Sequence, residues 1–221
     1  MPTWIKFCGT TSLADAMASV AAGADAVGFV FAPSKRQVSA SQVKTITQRL
    51  PVEIEKIGVF MDETVENILA VVDAAGLTGV QLHGKEPADD VARLAEKRRN
   101  DERLRVIKTV LVNENFRHEL KSVLHTERPP DCVLLDAGTG SGRTFAWDAA
   151  KDAAIEFVHS NAAKVIVAGG LTPENVGEAI KILSPWGVDV VSGVETQAGQ
   201  KDPQKLKAFV ESVRKAENKN G

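Results

Sequence analysis

The sequence predicts an α/β fold of the (β/α)8, or TIM, barrel class, in one domain over residues 1–221. Three observations lead there. Short β-branched runs alternate strictly with longer amphipathic stretches, each kind occurs eight times, and residue types that carry chemistry follow nearly every run. A doubly wound open sheet accepts the same alternation. The number eight favours the closed barrel, as does chemistry spread over all the strand ends instead of one switch point.

The expected strands are residues 3–7, 25–31, 55–60, 79–82, 103–108, 132–135, 164–168 and 189–192. Most are near-continuously apolar, as parallel strands covered on both faces should be. Between them, residues 13–22 carry Leu13, Ala16, Met17 and Val20 at helical spacing, and residues 65–75 carry Val65, Ile68, Leu69 and Val72. The pattern repeats over 88–99 and 203–215, with further helices expected over about 115–124 and 147–160. Ser12, Ser39 and Asp62 or Glu63 stand where N-caps belong, and Thr172-Pro173 and Asp202-Pro203 read as a cap followed by proline in the first turn. Gly23 and Gly76 follow helical stretches where a left-handed residue is wanted. The charge run from Lys97 to Arg103 reads as a solvated connection between a helix and a strand.

Composition narrows the function classes. A chain of 221 residues that is 43% hydrophobic buries a sizeable core. Its 27 basic and 29 acidic residues leave a net charge of -2, which excludes a strongly basic nucleic-acid binder and an acidic solvating chain. Two cysteines far apart, Cys8 and Cys132, are too few for a disulfide scaffold and point to a reducing cytoplasm. The first residues lack the apolar segment of a signal peptide, and no apolar run reaches the roughly 20 residues of a membrane span. The expected partner is a small molecule, with no nucleic acid or membrane, and the chain acts as a monomer or homodimer.

In a barrel the loops after the strands form one face, where chemistry gathers. Those loops carry Cys8-Gly9, Ser34-Lys35-Arg36, Asp62, His83-Gly84, Thr109, Asp136, Gly169-Gly170 and Ser192-Gly193. Gly169, Gly170, Ser192 and Gly193 follow the last two strands beside helix starts, where backbone N–H groups suit a phosphate dianion. The same glycines would also serve as plain tight turns. Cys8 is either a small buried hydrophobe or a thiolate with a polarising neighbour such as Lys6. Asp136 closes the apolar run Val133-Leu134-Leu135; burial would raise its pKa and suit a general acid, whereas an aspartate here also caps turns. Arg36 is a surface arginine or a bidentate grip on a carboxylate. His83 can donate to a ligand oxygen. His118, His125 and His159 read as surface, Cys132 as core, and no metal-ligand spacing occurs. The segment Gly138-Thr139-Gly140-Ser141-Gly142-Arg143-Thr144 lacks the spacing and lysine of a nucleotide-binding P-loop and reads as a flexible loop beside Asp136, of a kind able to close over substrate.

Taken in order, these residues resemble the phosphoribosylanthranilate isomerase family of tryptophan biosynthesis. The resemblance runs through Lys6-Phe7-Cys8-Gly9, Gly28-Phe29-Val30-Phe31, Ser34-Lys35-Arg36-Gln37-Val38-Ser39, Gly58-Val59-Phe60 and Val80-Gln81-Leu82-His83-Gly84. It continues through Leu134-Leu135-Asp136, Gly140-Ser141-Gly142-Arg143-Thr144-Phe145-Ala146-Trp147, Ala168-Gly169-Gly170-Leu171-Thr172-Pro173-Glu174-Asn175-Val176 and Gly187-Val188-Asp189-Val190-Val191-Ser192-Gly193-Val194-Glu195. Phe7 stands where the family usually has isoleucine, Ala146 where it has aspartate, and the glycine-rich loop departs from the usual Gly-Gly-Thr-Gly. The resemblance implies an Amadori rearrangement of N-(5′-phosphoribosyl)anthranilate to 1-(2-carboxyphenylamino)-1-deoxyribulose 5-phosphate, with Asp136 as general acid and Cys8 as general base. It further implies Arg36 on the anthranilate carboxylate, His83 on substrate and phosphate on Gly169, Gly170, Ser192 and Gly193. No metal or organic cofactor is implied, because the substrate supplies its own electron sink. The alternatives are an indoleglycerol-phosphate synthase-like enzyme, which calls for a longer N-terminal segment and a Lys/Glu set, and a non-catalytic barrel that binds a phosphosugar.

Overall fold

Eight parallel strands close on themselves in chain order: β1 (Trp4–Phe7), β2 (Ala26–Val30), β3 (Glu55–Phe60), β4 (Gly79–Leu82), β5 (Arg105–Leu111), β6 (Cys132–Asp136), β7 (Lys164–Ala168) and β8 (Gly187–Val190). The barrel predicted from the sequence is the one found. The structure is a computed structural model and describes residues 2–100, 104–113, 115–136 and 164–217. Seven α-helices lie among the described residues: α1 (Leu13–Ala22), α2 (Ala40–Thr47), α3 (Val65–Ala75), α4 (Ala88–Asn100), α5 (Phe116–Leu124), α6 (Val176–Leu183) and α7 (Pro203–Glu217). The helix expected over 147–160, His159 and the glycine-rich segment 138–144 lie outside them.

The twofold alternation of side chains along each strand divides the core. Ile5 and Phe7, Val27 and Phe29, Val133 and Leu135, and Val165 and Val167 face outward and are buried beneath the helices. Trp4, Ala26, Ile57, Ile107, Cys132, Leu134 and Ile166 form a separate interior cluster. The same inward positions, taken nearer the C-terminal strand ends, carry Lys6, Gln81, Thr109, Asp136 and Asp189, all buried. Apolar side chains thus fill the lower barrel, while polar ones close its top.

The local signals held at most helix ends. Ser12 accepts the Asp15 N–H at 3.1 Å and Ser39 the Gln42 N–H at 3.2 Å, caps each worth about 1 kcal/mol. Gly23 and Gly76 end their helices at φ +103° and +66°. Asp202 accepts from Gln204 and Lys205 as α7 begins at Pro203.

Tertiary pairing moved other boundaries. Thr64, not Asp62 or Glu63, caps α3, because Asp62 adopts φ +53° and turns its carboxylate to the Lys85 N–H. Pro173 opens a turn, and α6 starts only at Val176. Pairing with β6 through Leu111 and Asp136 extends β5, so Thr109 lies inside a strand instead of in a loop. Pairing with β1 starts β8 at Gly187, the strand ends at Val190, and Ser192, expected to close it, instead opens a 3-10 turn over Ser192–Val194. Lys97 belongs to α4, and residues 101–103 of the charge run fall outside the described residues. A short hairpin, β9 (Glu195–Gln197) and β10 (Gln200–Lys201), follows the turn.

Candidate active site

Lys6 and Asp189 are register partners on the adjoining strands β1 and β8, so both side chains enter the barrel side by side. Lys6 Nζ donates to Asp189 Oδ2 at 3.0 Å and to Gln81 Oε1 at 2.9 Å on the far side. Cys8 leaves β1 one residue past its end and is buried. A methyl group at Gly28 would stand 2.6 Å from Cys8 Sγ and 3.0 Å from Lys6 Cε, so thiol and ammonium stem converge over one glycine. Burial pushes the Cys8 thiol above its ordinary pKa; the Lys6 ammonium opposes this, and Asp189 adds to it. Burial alone would lower the Lys6 pKa, but its partners, Asp189 foremost, outweigh it and hold the lysine charged.

Gln81 carries this polarity across the barrel. An ammonium only donates, so Gln81 Oε1 must accept and Nε2 must donate. Nε2 lies 3.3 Å from Thr109 Oγ1 and 3.3 Å from His83 Nδ1. His83 Nδ1 is therefore the acceptor, and the ring proton is assigned to Nε2. That nitrogen approaches Asp136 Oδ2 to 3.8 Å, longer than a hydrogen bond. A line of polar groups thus leads from Lys6, beside Cys8, to Asp136 at the end of β6.

The turn after β7 holds Gly169 and Gly170 at φ +88° and +66°. Asn175 braces it: Oδ1 accepts the Thr172 N–H at 2.8 Å, and Nδ2 donates to the Gly170 carbonyl at 2.9 Å. The Ser192–Val194 turn packs directly against it, since a Cβ on Gly193 would meet the Leu171 carbonyl oxygen at 2.0 Å. The four residues read from the sequence as a phosphate site therefore lie in two turns in contact.

Arg36, read from the sequence as a surface arginine or a bidentate grip on a carboxylate, is half-buried and already paired within the chain. Glu195, buried behind it, accepts from Arg36 Nε at 2.9 Å and from Nη2 at 2.6 Å. Sequence reasoning gave Glu195, Lys201, Gln81 and Asp189 no role. The signal for Gln81 and Asp189 was available, as polar residues at inward parity near the top of apolar strands. Glu195 and Lys201 lie in a hairpin too short to leave a periodic pattern. Asp62 serves its loop, with Gly84 packed on its carboxylate, and Cys132 is core beside Arg105. His118 and His125 are exposed on or beside α5. Among the described residues, no group of three or more His, Cys, Asp or Glu is placed to hold a metal ion, and no helix is long and apolar enough to cross a membrane.

A closed parallel (β/α)8 barrel whose C-terminal strand ends carry the buried polar groups Lys6, Gln81, Thr109, Asp136 and Asp189 has the architecture of a barrel enzyme. The family model described as N-(5′-phosphoribosyl)anthranilate (PRA) isomerase matches residues 5–212, and the chain belongs to that family. The N-(5′-phosphoribosyl)anthranilate isomerase of Oceanobacillus iheyensis is 42% identical over 217 residues, covering 96% of this chain and 97% of its own. That of Thermotoga maritima is 40% identical, covering 95% and 98%. The solved Thermotoga maritima structure superposes with a TM-score of 0.80 at 39% identity, covering 96% of this chain and 99% of its own. A phosphoribosyl anthranilate isomerase in complex with reduced 1-(o-carboxyphenylamino)-1-deoxyribulose 5-phosphate superposes with a TM-score of 0.77 at 37% identity, covering 96% and 99%.

Proposed function

We propose that the chain performs the phosphoribosylanthranilate isomerisation of tryptophan biosynthesis with Asp136 as general acid and Cys8 as general base. Asp136 protonates the furanose ring oxygen as the C1′–O bond breaks, and the anilino nitrogen lone pair forms the iminium. Cys8 removes the C2′ proton, and the electron pair flows into the iminium to give an enolamine. That species tautomerises to the aminoketone product, so atoms and charge balance without an external oxidant or reductant.

The convergence of Cys8 and Lys6 over Gly28, with Gln81 and His83 leading on toward Asp136 at 3.8 Å, carries this reading. Burial keeps the free thiol protonated, and Lys6 opposes it. The iminium brings a second cation, which stabilises the thiolate when the base is needed. Its Nε2–H lets His83 donate to a substrate oxygen. Arg36 holds the anthranilate carboxylate, and the turns at Gly169-Gly170 and Ser192-Gly193 hold the phosphate. Fixing both ends places the pentose between acid and base, an orientation worth several kcal/mol of barrier, roughly. A cytoplasmic location accords with the free Cys8 and Cys132 thiols.

Steady-state turnover, followed by the change in anthranilate fluorescence on conversion, tests the assignment. Cys8→Ala and Asp136→Asn should each lower kcat by roughly a hundredfold or more with the fold kept. Undiminished turnover in either variant removes that residue from its role.

A further inference from the structure

Arg36 reaches the barrel mouth already engaged. Its Nε donates to both oxygens of Glu195, at 2.9 and 3.1 Å, and Nη2 donates to Oε2 at 2.6 Å. These bonds occupy one edge of the guanidinium, the Nε–Nη2 side. A planar guanidinium has a second bidentate edge, formed by Nη1 and the other Nη2 proton. Nη1 donates to nothing among the described residues, and the side chain is 23% exposed. The stem is confined as well: Gly9, at φ +77°, leaves room where a Cβ would stand 2.5 Å from Arg36 Cδ.

Glu195 is shared. Lys201 Nζ lies 3.2 Å from its Oε1 and also donates to the carbonyls of Cys8 at 2.5 Å and Val191 at 3.3 Å. Three acceptors match the three donors of an ammonium. Arg36 and Lys201 keep the Glu195 carboxyl ionised despite its burial. Burial lowers the Lys201 pKa and Glu195 opposes that shift, while Arg36 keeps its charge and a free pair of N–H donors for an anion. Glu195 also follows the Ser192–Val194 turn directly, so one short segment sets both the phosphate turn and the direction of Arg36.

We propose that Glu195 is a positioning residue that determines specificity, clamping the Nε–Nη2 edge of Arg36 so that the adjoining Nη1–Nη2 edge faces a carboxylate on the aromatic ring of the substrate. The inference rests on the reading of Arg36 as the anthranilate anchor. Because the guanidinium is ordered before substrate arrives, binding need not order it, and that advantage goes only to ligands with the carboxylate. Aminoaldose phosphates without it gain nothing from Glu195.

Calorimetric titration with two ligands tests this: reduced 1-(o-carboxyphenylamino)-1-deoxyribulose 5-phosphate and the same molecule lacking the ring carboxyl. Glu195→Gln should weaken the first by roughly tenfold and change the second by less than about twofold. It should raise KM while leaving kcat within about threefold. Glu195→Asp, which keeps the charge beside Lys201 but withdraws it from Arg36, should fall between, and supplies the same comparison if the glutamine variant does not fold. Adding Glu195→Gln to Arg36→Met should cost the first ligand nothing further. Equal weakening of both ligands, or of neither, overturns the role of Glu195. Arg36→Met is the separate control. If it leaves the affinity for the carboxylated ligand unchanged, the anchor reading fails, and this inference with it. If it weakens that ligand while Glu195→Gln does not, only the inference fails.

Discussion

Gly28→Ala adds one methyl group to the barrel interior, at the point where base and cation meet. The new carbon would stand 2.6 Å from Cys8 Sγ, 3.0 Å from Lys6 Cε and 3.1 Å from Cys8 Cα. Non-bonded carbon contacts are comfortable at about 3.5–4.0 Å, so the sulfur must retreat by about 1 Å. The backbone gives little help. Cys8 N–H is bonded to the Val190 carbonyl at 3.0 Å, and its own carbonyl accepts from Lys201 at 2.5 Å. Relief falls to rotation of the thiol itself, away from the position it would use. Gly28 is not in the left-handed region, so alanine suits the strand, and the expected stability loss is the overpacking cost of about 1–3 kcal/mol. Displacing a reacting group by about 1 Å lowers turnover by roughly a hundredfold. Arg36 and the glycine turns are untouched, so KM should stay within about threefold. The fluorescence assay gives kcat and KM, and a thermal melt gives stability. A variant that turns over within about threefold of the parent, with an unchanged melt, would refute the placement of the base over Gly28.

Three further outcomes are expected. Lys6→Met leaves Asp189 buried without its cation and should destabilise the fold by about 3–5 kcal/mol in urea unfolding, whereas Lys6→Met with Asp189→Leu should recover most of that without recovering turnover. Gly193→Ala forces the Leu171 carbonyl away and should raise both KM and the inhibition constant of inorganic phosphate; Gly170→Ala, with open space around it, should cost only the left-handed backbone strain of about 1–2 kcal/mol. The Cys132 thiol is pushed up to about 11, chiefly by burial, with Arg105 opposing. The native state then holds this proton more tightly than the unfolded chain, so its contribution is full below about pH 9 and is lost as pH rises through about 11. At about 1.4 kcal/mol per pH unit the loss comes to about 2–3 kcal/mol. Urea midpoints from pH 8 to 11.5 should fall less steeply in Cys132→Val, and identical slopes would count against the burial argument.

Strand and helix existence was legible because burial on both faces leaves an unmistakable pattern. β3, β4, β7, α1 and α3 fall within the bounds read from apolar spacing. Boundaries set by a partner strand were not, as Thr109 and Gly187 show: each is strand only because a neighbour offers a ladder. Cys8, Arg36, His83, Asp136 and the glycine turns stood out as candidates because strand ends of a barrel converge on one face.

The sequence by itself determined the period of burial, hence the strands, their order and the end of the barrel where chemistry collects. Those follow from local alternation and from the right-handed closure of successive β-strand and helix units. Tertiary structure alone decided which side chains hold one another. Lys6 meets Gln81 across 75 positions, and Arg36 meets Glu195 across 159. An ion pair inside a barrel depends on register and inward parity shared by distant strands and loops, and no spacing along a single segment encodes that.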